Sequence, residues 1–325
     1  MMKLFTEISF HKFPVEINHQ DAVICIGSCF SDTLGQRLKK LKFNSLPNPF
    51  GTVYNPFSIA RLIQKSFHFS SEKENIFENN GLFCHPDFHS SFCDSDIDLC
   101  YQKIENSLLL FRQWVEMENA ILFITLGTSS VYQWKYSGKI VANCHKLPSS
   151  QFEKFQLTTE ESVHCIGAAI EKIRTVNPSL PVVITVSPVR HIRDGIVENT
   201  RSKARLLECA HLLSEKYEQT YYFPSFELMT DELRDYRFYD KDLIHPNEIA
   251  HEIIWDRFCR SFFNTRTMGM IQEIEEIVKA SEHRPFRADT QDYMRFCEKY
   301  IHKINSMNTL HPYLDFSKER NVFKS

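Results

Sequence analysis

Two stretches at opposite ends of the chain hold side chains whose types and spacing can do covalent chemistry. The first is "ICIGSCFSDTLG", residues 24–35, where an alcohol, Ser28, and a thiol, Cys29, follow Gly27 at the end of an apolar run. The second is "KDLIHPNEIAHEII", residues 241–254, where Asp242 and His245 stand three residues apart just before a helix. A carboxylate at that spacing can bond one imidazole nitrogen, fix the tautomer and leave the other nitrogen as a base. A nucleophile served by such a base attacks an acyl carbonyl and carries the acyl group as a covalent intermediate. A thiol at a helix N-terminus is the more easily ionised of the two, because the first-turn amides and the helix dipole favour an anion.

The elements that must position these groups read as strand and helix in alternation. "DAVICIG" (21–27), "NAILFITLG" (119–127) and "LPVVITVSPVRH" (180–191) are short continuous apolar runs, the pattern of strands buried on both faces. "TYYFPSFE" adds a fourth strand, and "VYQWKYSGKIVAN" (131–143) reads as a hairpin turning at Ser137 and Gly138. Helical spacing covers 31–41 with Ser31 as cap, 55–67 with Asn55 and Pro56 at cap and first turn, and 100–118, 159–176, 198–217 and 247–263. Residues 68–100 are polar and irregular, the mark of a functional loop or cover. This alternation predicts a three-layer α/β/α sandwich around a central parallel sheet. One domain is expected over 1–265, with a helical, more charged appendage, 266–325, packed on it.

In an open parallel sheet, ligands bind beyond the carboxyl ends of the strands. Five segments therefore matter: "GSCFSD", "NPFGTVYNP", "TLGTSSVYQ", "SPVRHIRDG" and "DLIHPN". Arg190 after the third strand can meet an anionic substrate group, though a structural pair with Asp194 or Glu198 is the preferred expectation; His191 lies beside it. "FCHPDFHSSFCDSDIDLC" (83–100) carries Cys84, His85, His89, Cys93 and Cys100. Their spacing matches none of the paired-Cys zinc patterns, so no metal is expected, and His89 is expected to line or cover the pocket. In "NCHK", Asn143 and His145 are candidates for substrate contact.

Composition narrows the function classes. With 325 residues, 42% hydrophobic and 24% charged, the chain has ample core for a globular enzyme. A net charge of -3 gives no footprint for nucleic acid. No segment is long and apolar enough to span a bilayer, and "MMKLFTEISFHKFPVEINHQ" lacks the core of an export signal. The ten Cys are accordingly read as reduced thiols of a cytoplasmic protein.

The ordered set "GSCF", "NPFGTVYNP", "LGTSSVY", "NCHK", "SPVRH", "DELRDYRFY" and "DLIHP" resembles the GSCFA-domain family, within the SGNH (GDSL-type) hydrolase superfamily. The resemblance covers about residues 20–265 and implies a hydrolase-like site. Set against the superfamily pattern Gly-Asp-Ser-Leu-Ser-Asp, Gly27 takes the Gly place, Ser28 the Asp place and Cys29 the nucleophile place. Ser28 is the nucleophile instead if the turn is one residue tighter. Asp242 and His245 match the superfamily's Asp-x-x-His. Gly51 matches the second-block Gly whose N–H binds the oxyanion, and Gly127 matches in the third block. Ser129 there replaces the usual oxyanion Asn, so another amide must serve, with Asn48, Asn55 and Asn143 as candidates. The resemblance implies an esterase or deacylase working through an acyl-enzyme on a small-molecule, carbohydrate or lipid ester, without a cofactor. The alternatives are an acyltransferase with the same nucleophile, or a binding module on a degenerate hydrolase fold.

Overall fold

The structure, a computed structural model, describes residues 6–9, 12–68, 73–284, 286–287 and 289–324. In chain order its first half runs β1 (Ala22–Gly27), α1 (Cys29–Lys40), β2 (Ser45–Pro47), α2 (Pro56–Lys65), β3 (Phe77–Asn79), β4 (Leu82–Cys84) and α3 (Ile97–Val115). Next come β5 (Ala120–Leu126), β6 (Ser130–Trp134), β7 (Lys139–Val141), β8 (Phe152–Gln156), α4 (Thr159–Arg174), β9 (Val182–Val186) and α5 (Ile196–Lys216). The chain finishes with β10 (Thr220–Phe223), α6 (Ser225–Glu227), α7 (Glu248–Phe262), α8 (Thr265–Ser281), α9 (Gln291–Leu310) and α10 (Ser317–Lys324).

Five strands form an all-parallel sheet in the order β10-β9-β5-β1-β2. The order reverses between β1 and β5, so connections leave there towards opposite faces and open a crevice beyond the carboxyl ends. Cys29 follows β1 at that crevice. The expected α/β sandwich with its helical C-terminal region is therefore what forms. Strand alternation sends side chains to two cores. Val23, Cys25, Ile121, Phe123 and Val183 pack with α1, α7 and the C-terminal helices, while Ile24, Ile26, Leu122, Ile124 and Ile184 pack with α2 to α5. On the first face, Leu34 and Leu38 of α1 share a core with Ile271 and Ile274 of α8, Ile304 of α9 and Phe323 of α10. A nearly buried ion pair, Lys42 Nζ to Glu319 at 2.8 Å, joins the two ends of the chain.

Two boundaries differ from expectation. The first helix begins at Cys29 with Ser28 at its N-cap position, not at Ser31, because Gly27 turns the chain within one residue. Also, β8 was not foreseen; it pairs antiparallel with β6 beside the β6–β7 hairpin. Residues 69–72 of the long polar stretch lie outside the described residues, and the rest of it holds the β3–β4 hairpin and two short turns of helix, Lys73–Asn75 and Ser90–Phe92. Among the described residues no helix is long and apolar enough to cross a membrane.

Gly27 is the hinge of the arrangement. Its φ is +126°, and a Cβ there would stand 2.2 Å from Thr125 O on β5. Gly27→Ala is expected to destabilise the protein by about 3 kcal/mol or more, read from chemical denaturation midpoints. Unchanged stability would show that β1 and β5 can part at no cost.

Candidate functional site

At the end of β1, Ser28 and Cys29 have opposite environments. Ser28 is fully buried, and its Oγ has no hydrogen-bond partner among the described residues. Cys29 is the first residue of α1 and is partly exposed. Burial pushes its thiol above the ordinary value; the backbone N–H groups of Phe30 and Cys29 and the Lys203 cation favour the thiolate, and Asp32 opposes it. Tyr54 lies near enough for the thiolate to raise its phenol, together with burial.

The Asp242–His245 loop forms the hydrogen bond that its spacing predicts. His245 Nδ1–H donates to Asp242 Oδ2 at 2.6 Å, while the N–H groups of Ile244 and His245 donate to Oδ1 at 2.9 and 3.0 Å. The His245 bond, then the two backbone bonds, hold the Asp242 carboxyl down at about 2. Nε2 is thereby left as the basic nitrogen. The loop is fastened to the end of β9, where Arg190 N–H donates to Ile244 O at 3.2 Å. Both side chains are about half exposed, 48% for His245 and 45% for Asp242. His245 is close enough to His191 and His251 to lower both when charged, and His251 stacks on Phe30 at 6.5 Å. Burial, then the Lys203 and His245 charges, pull His191 down to about 4, so it is a neutral wall that meets Tyr54 edge-on at 5.3 Å.

Lys203 was not anticipated. It is 1% exposed on α5, and its Nζ donates to Gly127 O and Ser187 O, both at 2.7 Å, the carbonyls just beyond β5 and β9. Burial pulls it down to about 7, against the Cys29 thiolate, which favours its charge. The sequence did hold a signal: Lys203 falls on the buried stripe of α5 with Leu206, Ala210 and Leu213, where a lone cation needs a reason. Lys203→Met removes the cation that favours a thiolate. The rate of iodoacetamide reaction at Cys29 should therefore rise at a higher pH than in the native protein. An unmoved profile would detach Lys203 from the thiol.

The expected oxyanion donors are mostly spent elsewhere. Gly51 N–H closes a turn onto Asn48 O at 2.8 Å, so it is not the open donor that was expected. Gly127 N–H donates to Tyr54 O at 2.8 Å. Ser129 is buried and bonded to Ser202 through both its N–H and its Oγ, at 2.7 and 3.1 Å. Asn48 is used internally, accepting from Gly27 N–H at 2.9 Å. Asn55 caps α2 through its Oδ1, on Ser58 N–H at 2.8 Å, and its amide nitrogen plays no part in the cap. What the site retains are the N–H groups of Cys29 and Phe30 at the start of α1, which favour the thiolate, while those of Ser31 and Asp32 are spent on Ser28 O.

Other candidates separate into near and far. His89 lies against Gly51, where an added Cβ would stand 2.4 Å from its own, and its Nδ1 accepts from Ser91 N–H at 3.2 Å. Asn143 and His145 are engaged with each other and with the cover loop: Asn143 Oδ1 accepts from His145 N–H at 2.8 Å, and Asn143 Nδ2 donates to Ser90 Oγ at 3.2 Å. Arg190 does not pair with Asp194 or Glu198, contrary to expectation. It stacks over Tyr239 at 4.2 Å, while Asp194 pairs with Lys154 and Glu198 with Arg201. Beyond the crevice a polar groove of about 400 Å³ is lined by Lys154, Gln156, Asp194, Glu198, Arg201 and Arg205, among others.

No curated protein and no solved structure matches the chain. The GSCFA family matches over residues 22–258, and the C-terminal domain of GSCFA domain proteins matches over 274–325. The first match spans most of the chain, including Gly27, Cys29, Lys203, Asp242 and His245, and by it the chain belongs to the GSCFA family.

Proposed function

We propose that the protein is an SGNH-like acyl hydrolase, an esterase or deacylase, that works through a thioester on Cys29. The observation carrying this reading is that Cys29, not Ser28, is the reachable nucleophile, with helix amides on its sulfur, while Asp242 fixes His245 with Nε2 as base. In the reaction Cys29 passes its thiol proton to His245 Nε2, and its sulfur forms a bond to the acyl carbon as the carbonyl π bond opens to an oxyanion. The tetrahedral oxyanion collapses, and the alcohol leaves with the proton of the His245 imidazolium. Water then attacks the thioester, giving its proton to His245 Nε2, and releases the carboxylic acid and the thiolate. A cytoplasmic setting keeps the thiol reduced, as this chemistry requires. The same thioester suits transfer to an amine or sugar hydroxyl, for which the polar groove beside His191 is the acceptor site.

Incubation with p-nitrophenyl acetate, acid quench and peptide mass mapping test this. The expected result is a nitrophenol burst with an acetyl group on Cys29 that neutral hydroxylamine removes. The spent N–H groups of Gly51 and Gly127 and the buried Ser129 favour a second reading, a binding module on a hydrolase-like fold. Neither burst nor adduct would support that reading instead.

A further inference from the structure

Cys84 ends β4, Cys93 follows the short helical turn after it, and His145 lies beyond the β6–β7 hairpin. One ligand atom from each lies within 4.8 Å of the others. We propose that these three side chains bind a structural zinc ion. Cys93 Sγ and His145 Nδ1 stand 3.5 Å apart. A tetrahedral ion with Zn–S of about 2.3 Å and Zn–N of about 2.0 Å puts its sulfur and nitrogen about 3.5 Å apart.

The imidazole is set up for this role. Its Nε2 faces His85 O at 2.8 Å, and only an N–H can bond a carbonyl, so the lone pair is on Nδ1, on the side of Cys93. Ligating histidines are held in this way, one ring nitrogen on a backbone carbonyl and the other free for the metal. The backbone of His145 takes a φ of +46°, fixed by its N–H on Asn143 Oδ1 at 2.8 Å and its carbonyl under Asn79 Nδ2 at 2.7 Å. A costly conformation pinned on both sides aims the ring at the two thiols. Soft sulfur with imidazole selects zinc over harder cations. Cys100, buried at the start of α3, lies near both thiols but outside the group of three, and would have to move to take the fourth position.

The ion would staple two loops. Ser90 Oγ accepts from Asn143 Nδ2 at 3.2 Å, and the adjoining His89 rests on Gly51, so the clip holds the cover against the crevice. Spacing alone hid the site, because the His comes from more than forty residues beyond the last of the clustered thiols.

Full-length protein purified without chelator should carry stoichiometric zinc. Replacing the metal with Co²⁺ should give thiolate-to-cobalt charge-transfer absorption with tetrahedral visible bands. Cys93→Ser and His145→Asn should weaken retention at least about tenfold, while Cys165→Ser on α4 should leave it unchanged. Binding should also release protons as the thiols ionise, a readout on the native chain that no misfolded variant can blur. Absence of both zinc and the cobalt charge-transfer band in the native chain would overturn the proposal. So would a band that survives in folded Cys93→Ser, or a Cys84–Cys93 disulfide in the native protein.

Discussion

Cys29→Ala is expected to abolish ester turnover, a loss of about 10⁴-fold or more, while Ser28→Ala retains most of the rate. Removing a nucleophile deletes the covalent intermediate itself and leaves only binding and the helix amides. Ser28 has nothing comparable to lose. Its Oγ is buried without a partner, so removing it breaks no hydrogen bond and relieves an unpaired polar group. A thiol reagent should modify Cys29 ahead of the other nine cysteines. Six of those nine, Cys25, Cys84, Cys100, Cys209, Cys259 and Cys297, are buried. Initial rates with p-nitrophenyl acetate and mapping of the first alkylated peptide decide the matter. Ser28→Ala inactive with Cys29→Ala active would make this a serine esterase.

His245→Ala should be as silent as the nucleophile variant, and Asp242→Asn should lower kcat by about 10²- to 10⁴-fold. Asn at 242 presents an amide that can donate to the imidazole and favour the wrong tautomer. The lower end of that range allows for the half-exposed setting, where water can take over part of the carboxylate's work. The pH profile separates the roles. Asp242, held at about 2, stays ionised throughout, and His191, at about 4, is neutral near pH 7. A change of rate on mild acidification therefore belongs to neither of these two groups, and Asp242→Asn should lower kcat while leaving KM for the ester nearly unchanged. An Asp242→Asn enzyme with native kcat would remove the pair from the chemistry.

The strands carrying the site were legible because β1, β5 and β9 are buried on both faces and so read as unbroken apolar runs. The Asp242–His245 bond was legible because it is local, three residues across one loop. What escaped was set by distant partners. The start of α1 follows a backbone turn at Gly27 that is forced by Thr125 on another strand. Whether Gly51 N–H is open or spent depends on a carbonyl that only the folded loop brings under it. Arg190 found aromatic faces in place of carboxylates because Tyr236 and Tyr239 come from a loop nearly fifty residues on.

The helix that presents Cys29 shares its core with helices that lie far along the chain. Leu34 and Leu38 belong to one core with Ile271 and Ile274, and Lys42 closes on Glu319. During synthesis, then, the segment bearing Cys29 emerges well before the helices that share its core. Contacts so far apart in sequence form late and slowly. The helix N-terminus that favours a thiolate at Cys29 is therefore finished only when segments more than two hundred residues apart have met.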